Sequence, residues 1–341
     1  MKTRYRAKIE GTGLYVPPDV YTNADLAKLM DTSDEWIQQR TGIKERRFAQ
    51  DGVGVSDLAV LAAQNALEMA YLKPKDLDMI IFATLSPDYY FPGPGVFLQD
   101  KLGCGSIPAF DIRNQCSGFI YGLSMAQNFI ETGRFKKILL VGAETHSRAL
   151  NLTTAGRDMA VLFGDGAGAV ILGPSESPER GLISVSLHAD GAHRDHLKIE
   201  YPSARRWPFL SKAHIDEGLH FPVMDGKHVF KHAVQRLSET VSDTLSQNHL
   251  TPEDINLYLF HQANLRINEA VMKHLNQPLS RSYNNIMSYG NCSAASIPML
   301  LDETVRGNRL KDGDLIMMAA FGSGFTWGSA LMRWCQDPLV A

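Results

Sequence analysis

A thiol, an imidazole and a carboxamide stand at the ends of predicted elements in this 341-residue chain. Cys116 follows the strand-like run 107–112. After it, Phe119, Leu123, Ala126, Phe129 and Ile130 recur at helical spacing. Cys116 is thus expected at the N-terminus of an apolar helix, where unpaired N–H groups and the helix dipole favour thiolate over thiol. His261 comes straight after the apolar run 255–260 and is expected to open a helix. Asn291 precedes Cys292-Ser293-Ala294-Ala295-Ser296-Ile297, the start of a second apolar helix. Each has a purely structural counter-reading: a buried free thiol, a satisfied strand-end histidine, an N-cap. Together they make chemical sense. A thiolate accepts an acyl group as a thioester. His Nε2–H and the Asn amide can both donate to one oxygen, stabilising an enolate on a second thioester with no metal. The turn Phe321-Gly322-Ser323-Gly324-Phe325 offers backbone N–H groups for an oxyanion at Cys116.

The elements that position these residues come in a duplicated order. Runs 77–83 and 255–260 both read as buried strands, and Cys116-Ser117-Gly118 and Cys292-Ser293-Ala294 both open apolar helices. Strand 137–142 is echoed by 314–320, and Phe163-Gly164-Asp165-Gly166 by Phe321-Gly322-Ser323-Gly324. The offsets between the first residues of these pairs are 178, 176, 177 and 158, so the last pair has lost an insertion. Strands alternating with helices in two similar halves predict an α/β fold with mainly parallel sheets. The boundary is expected near Gly173 to Pro178, giving halves 1–175, carrying the Cys, and 176–341, carrying the His and Asn. On this reading, segment 191–218 has no partner in the first half and is an insertion. Asn23 is expected to cap helix 24–30, and loop 85–94 to serve a specific purpose.

Composition narrows the class. Charge is nearly balanced, 34 basic against 37 acidic residues, and no basic motif suggests a nucleic-acid binder. The four cysteines form no CxxC pair, which fits free thiols in a reducing cytoplasm. The basic opening Met1 to Arg6 is not followed by a long apolar stretch, and no run is long enough for a membrane span. His188, His193, His196, Asp190 and Asp195 cluster within nine residues, but the glycine and the lack of helical spacing suggest a loop, and no metal is expected there.

The sequence resembles the β-ketoacyl-acyl-carrier-protein synthase III family. The likeness lies in Cys116-Ser117-Gly118-Phe119, His261-Gln262-Ala263-Asn264-Leu265-Arg266, Tyr289-Gly290-Asn291-Cys292-Ser293-Ala294-Ala295-Ser296 and the Phe321 to Leu331 segment. Glu35-Trp36-Ile37, Arg40-Thr41-Gly42-Ile43 and Phe163 to Gly168 add to it. The resemblance runs from about residue 7 to 334. It implies a thiolase fold of five α-β-α-β-α layers, as a homodimer, with coenzyme A thioesters as substrates and no cofactor. Cys116 would take an acyl group from an acyl-CoA; malonyl-acyl carrier protein would lose CO2 and attack it, giving a 3-oxoacyl carrier protein. His261 and Asn291 would assist decarboxylation, and the N–H groups of Cys116 and Ser323 would form the oxyanion hole. Trp36 and Arg157 would clamp the adenine of CoA, and Arg40 would meet its phosphates. Phe230, Asn264 and Phe321 would line the pantetheine tunnel. Lys231, Arg266 and Lys273 would face the acidic carrier. Phe91 would reach across the dimer to gate the partner's pocket.

Some positions depart from the family pattern. Arg113, Asn114 and Gln115 replace small residues before the nucleophile, His146 stands where a pocket leucine is common, and Ser323 is the middle residue of the glycine turn. These leave the acyl primer open, along with the choice of carrier protein or CoA for the extender. The competing reading is a same-fold enzyme of a secondary pathway: a non-decarboxylating acyl-CoA condensation or an acyl transfer to a hydroxyl or amine. A non-catalytic partner subunit would not need Cys116, His261 and Asn291 together.

Overall fold

The computed structural model describes residues 6–175 and 177–335. The basic opening 1–5 and the boundary residue Glu176 lie outside the described residues, as do 336–341.

Two mixed sheets sandwich a pair of helices. The first sheet orders its strands Arg6–Tyr15, Gly166–Ser175, Ile138–Glu144, Met79–Ala83 and Ala109–Ile112. The second orders Leu257–Phe260, Leu315–Gly322, Thr326–Arg333 and Gly181–Ala189. Alternation along the central strands shows why five layers form. Ile138 and Leu140 face the inner helices Gly118–Glu131 and Ser296–Arg306, while Leu139 and Val141 face the outer helix Val55–Met69. In the second sheet, Ile316, Met318 and Ala320 join the same inner core, and Met317, Ala319 and Phe321 face the outer helices Gly226–Gln247 and Leu265–His274. A period of two with both faces apolar is what a strand buried on both sides requires.

The expected predominance of parallel pairing holds only in the centre. Met79–Ala83 pairs parallel with both neighbours, and Leu257–Phe260 with Leu315–Gly322. The remaining pairings in both sheets are antiparallel. After Leu315–Gly322 the chain turns back through residues 323–325, and after Ile138–Glu144 it returns through short helical turns, the last of them Arg157–Ala160, to the same end of the sheet; both returns run antiparallel.

The duplication is more extensive than the sequence suggests. The two-stranded ribbon of Val20–Thr22 and Glu45–Arg47 recurs 177 residues later as Leu197–Ile199 and Pro222–Met224. Each ribbon encloses helical residues, so segment 191–218 has a counterpart and is not a partnerless insertion. The helices between the two ribbon strands have diverged too far for sequence to match them. The two apolar helix starts also pair differently. Turn Gln115–Ser117 corresponds to Ser293–Ala295, each opening on a non-glycine residue of positive φ: Gln115 at 43° and Ser293 at 46°. The partner of Cys116 is therefore Ala294, at offset 178, and not Cys292. At the N-terminus the cap is Thr22, whose hydroxyl accepts from the Asp25 N–H; Asn23 is instead buried, donating to Ile43 O and Asp34.

Candidate active site

The duplication crosses over at the site. The Gln115–Ser117 turn rests on the second sheet, where a Cβ on Gly322 would lie 2.9 Å from the Cys116 nitrogen. The Ser293–Ala295 turn rests on the first sheet, where a Cβ on Gly142 would lie 2.2 Å from the Ala294 oxygen. Both glycines are required by close backbone approach. Each half thus presents its helix start against the other half's central strand, and the two starts meet.

Cys116, His261 and Asn291 are all buried and line one cavity of about 790 Å³. Phe230, Asn264, Phe321, Arg40, Trp36 and Arg266 line it too, so the expected tunnel residues lead from the thiol to a basic, aromatic mouth. Lys227 and Met224, which sequence reasoning did not single out, share that wall.

Asn291 is fixed by its backbone and its amide. Its N–H donates to Leu162 O at 2.8 Å, and its carbonyl accepts from the Gly164 N–H at 3.2 Å. Oδ1 accepts from the Ser293 N–H at 2.8 Å, so the amide NH2 is what Asn291 offers to the cavity. His261 does not open a helix: the next helix starts at Leu265, capped by Asn264, and His261 sits in the preceding loop. Its N–H donates to Ala319 O at 2.9 Å. Its Nδ1 lies 2.7 Å from Ser296 Oγ, and its Nε2 is buried without a protein partner. The Ser296 hydroxyl has one proton and two acceptors in reach, Ser293 O at 2.9 Å and His261 Nδ1. Pointed at Ser293 O, it leaves the imidazole protonated on Nδ1 with a bare Nε2. Rotated to Nδ1, it makes Nε2–H the donor. Hydroxyl direction therefore selects the tautomer.

The thiol is not a resting thiolate. Burial pushes Cys116 up to about 12, against a lowering hydrogen bond from Ser293, and the nearby Glu144 raises it further. The expected helix-start effect is outweighed by desolvation. Ser293 Oγ donates to Cys116 Sγ at 3.2 Å. This contact was missed because Ser293 reads as an ordinary helix-start serine, although its motif is visible. Burial also holds His261 at about 3, hence neutral. Buried Glu144 is raised to about 7 by desolvation despite hydrogen bonds from Ser86, Leu85 and Thr84.

Two expected pocket residues fall outside the cavity wall. His146 is buried with its ring 4.7 Å from Phe163, which itself lines the cavity. Phe91, expected to gate a partner's pocket, is 79% exposed on its loop and does not line this chain's own cavity. Arg157 is likewise not in the wall; its guanidinium lies 4.5 Å from the Trp36 ring centre, and that of Arg40 lies 4.3 Å away. Lys231, Arg266 and Lys273 are all exposed, on the adjoining helices Gly226–Gln247 and Leu265–His274. In the glycine turn, the Ser323 side chain donates to Leu197 O, so its hydroxyl is engaged away from the thiol, and the neighbouring Gly322 is the residue that approaches Cys116.

A layered α-β-α-β-α fold with Cys, His and Asn in one tunnel defines a thiolase-fold condensing enzyme. Two family profiles match: 3-oxoacyl-[acyl-carrier-protein] synthase III over residues 110–191 and its C-terminal region over 245–334. A β-ketoacyl-[acyl-carrier-protein] synthase III from Caldanaerobacter subterraneus subsp. tengcongensis is 46% identical over 336 residues, 98% of this chain and 100% of that one. The solved 3-oxoacyl-[acyl-carrier-protein] synthase III of Aquifex aeolicus VF5 superposes with a TM-score of 0.88 at 41% identity, covering 96% of this chain and 100% of the other. The priming β-ketosynthase of the R1128 polyketide pathway superposes with 0.89 at 30% identity, covering 99% of each. The chain belongs to the β-ketoacyl-acyl-carrier-protein synthase III family.

Proposed function

We propose that this enzyme joins an acyl-CoA primer to malonyl-acyl carrier protein with loss of CO2, giving a 3-oxoacyl carrier protein in fatty-acid synthesis. The observation that carries this reading is one tunnel joining the buried Cys116 thiol, the His261 imidazole and the Asn291 amide to a basic mouth. Near-complete coverage at 46% identity favours it over a secondary-pathway acyl transfer.

In the first half-reaction Cys116 attacks the thioester carbonyl, its proton leaving finally with the CoA thiol. The bare Nε2 of His261 carries that proton, and the Ser293 hydroxyl stabilises the charge on sulfur. The N–H groups of Cys116 and Ser323 hold the tetrahedral oxyanion. In the second half-reaction the malonyl thioester breaks its bond to the carboxylate. The electron pair moves to an enolate whose oxygen accepts from Asn291 NH2 and from His261 Nε2–H. The enolate carbon attacks the Cys116 thioester, and the sulfur leaves as thiolate and takes a proton from water, the one proton that the overall condensation consumes. No resident cofactor is needed; CoA thioesters are substrates.

The CoA adenine would slip between Trp36 and Arg157, whose guanidinium must swing off the ring to admit it, with Arg40 on the phosphates. Lys231, Arg266 and Lys273 would receive the acidic carrier. Exposed Tyr89, Tyr90 and Phe91 support a homodimer in which Phe91 enters the partner's pocket. Halves 1–175 and 176–341 are the proposed units. Among the described residues no helix is long and apolar enough to cross a membrane, and the free cysteines suit a reducing cytoplasm. The test is product analysis with acetyl-CoA and malonyl-carrier protein. CO2 release matched by 3-oxobutyryl carrier supports the reading; acyl transfer without CO2 would overturn it.

A further inference from the structure

Four histidines converge beside the tunnel, outside its wall. His193 and His196 lie on the 3-10 helix Gly191–His196, and His228 and His232 stand one turn apart on helix Gly226–Gln247. His193, His196 and His228 each bring one ring nitrogen to within 4.8 Å of the others. His228 Nε2 is 3.0 Å from His193 Nδ1. The ring of His232 is centred 4.3 Å from those of His193 and His228. A glycine and the lack of helical spacing argue against a metal at residues 188–196 taken alone; the fold adds His228 and His232 from a helix more than 30 residues away in sequence.

The outward nitrogens have carboxylates behind them. Asp190 Oδ2 lies 3.6 Å from His193 Nε2, and Asp225 Oδ2 lies 3.4 Å from His196 Nδ1. This leaves His193 Nδ1 and His228 Nε2, with one nitrogen of His196 within 4.8 Å, for a common centre; the His196 and His228 rings stack 3.7 Å apart at 13°, so one of them turns when an ion is bound. A carboxylate behind a histidine fixes its tautomer and raises its basicity as a ligand. Three imidazole ligands at about 2.0–2.1 Å, with an open fourth position, suit zinc and its neighbours.

We infer that His193, His196 and His228 bind a divalent transition-metal ion of the zinc type, with His232 or water in the fourth position. The ion is structural and touches no reacting atom. It clamps three segments. The His193 ring stacks on Phe325 at 5.3 Å, and Asp190 and Phe325 exchange two backbone hydrogen bonds of 2.8 Å. Phe325 follows the turn carrying Ser323, and the helix of His228 supplies Phe230 to the tunnel wall. The metal would therefore tie the oxyanion turn to the tunnel helix.

The experiment strips the full-length protein with chelator and titrates it with Co2+ alone, then Zn2+ alone. The expected result is visible ligand-field bands saturating at one Co2+ per chain, and a Tm that rises with Zn2+. Both should vanish in the double variant His193→Ala/His228→Ala, while Asp225→Asn should weaken Co2+ binding about tenfold. A Cys116→Ala/Cys292→Ala variant should keep the bands. If the double variant fails to fold, the single His196→Gln carries the test, with Kd expected to rise at least about tenfold. No uptake at tenfold excess of Co2+, bands that survive in the histidine variants, or bands that disappear with the cysteines would each overturn the assignment.

Discussion

Ser293 Oγ donates to Cys116 Sγ at 3.2 Å across 177 residues of sequence, the two helix starts of the duplicated halves meeting at the nucleophile. A thiol raised to about 12 by burial needs every such donor when its proton leaves. Hydrogen bonds to charged groups contribute about 1.5–3 kcal/mol. Ser293→Ala should therefore slow acylation of Cys116 by roughly 10- to 100-fold, read as single-turnover CoA release. Ser293→Gly, which accepts the positive φ of 46° more readily, separates the lost hydroxyl from backbone strain and should be equally slow. Acylation at the wild-type rate in both would remove Ser293 from the mechanism.

Asn291 acts on the second half-reaction in this account. Asn291→Ala should cut CO2 release from malonyl-carrier protein by about 10²–10³-fold, the usual loss for one oxyanion donor. Acylation of Cys116 should change only a few-fold. Ser296→Ala, which frees His261 Nδ1, should slow condensation about tenfold. Equal loss in both half-reactions for Asn291→Ala would point to a positional role instead.

The crossed packing of the halves makes Gly142 intolerant of a side chain. A Cβ there would stand 2.2 Å from the Ala294 oxygen and 2.6 Å from its carbonyl carbon, backbone that cannot move aside alone. Gly142→Ala should cost about 3 kcal/mol or more, by denaturant unfolding. Gly191→Ala meets nothing within 4 Å and is the control. A near-neutral Gly142→Ala would contradict the described contact.

His146 gives the stability a pH dependence. Burial first, with a further lowering from the neighbouring imidazole of His261, holds it at about 3, against 6.5 when unfolded. Between those values the unfolded chain binds the extra proton, so this contribution to stability is present above 6.5 and is lost as pH falls toward 3. At about 1.4 kcal/mol per unit, wild type should lose roughly 2 kcal/mol more than His146→Leu between pH 6.5 and 4.5. Identical pH slopes for the two proteins would place His146 in water.

The proposed catalytic trio stands out in the sequence because each member sits where periodicity breaks: Cys116 and Asn291 at or just before helix starts, His261 at a strand end. Tunnel residues such as Trp36 and Phe230 followed from the family likeness. What could not be read depends on three-dimensional approach. Cys292 looked like the mirror of Cys116, yet the positive φ of Gln115 and Ser293 makes Ala294 its partner. Helix-start chemistry suggested a thiolate, but burial, which sequence does not measure at one atom, reverses the balance. The ribbon at 197–224 repeats 20–47 in backbone while its side chains have diverged. His193 and His228 are 35 residues apart with no shared motif, so only the fold brings them together.

The most direct measurement is intact-protein mass spectrometry after incubation with acyl-CoA, followed by a chase with malonyl-carrier protein. The account predicts one acyl adduct, mapped to Cys116, that disappears on the chase as CO2 and a 3-oxoacyl carrier protein form together. An adduct on another residue, no adduct with short-chain acyl-CoAs, or a Cys116 adduct that malonyl-carrier protein leaves in place would contradict it.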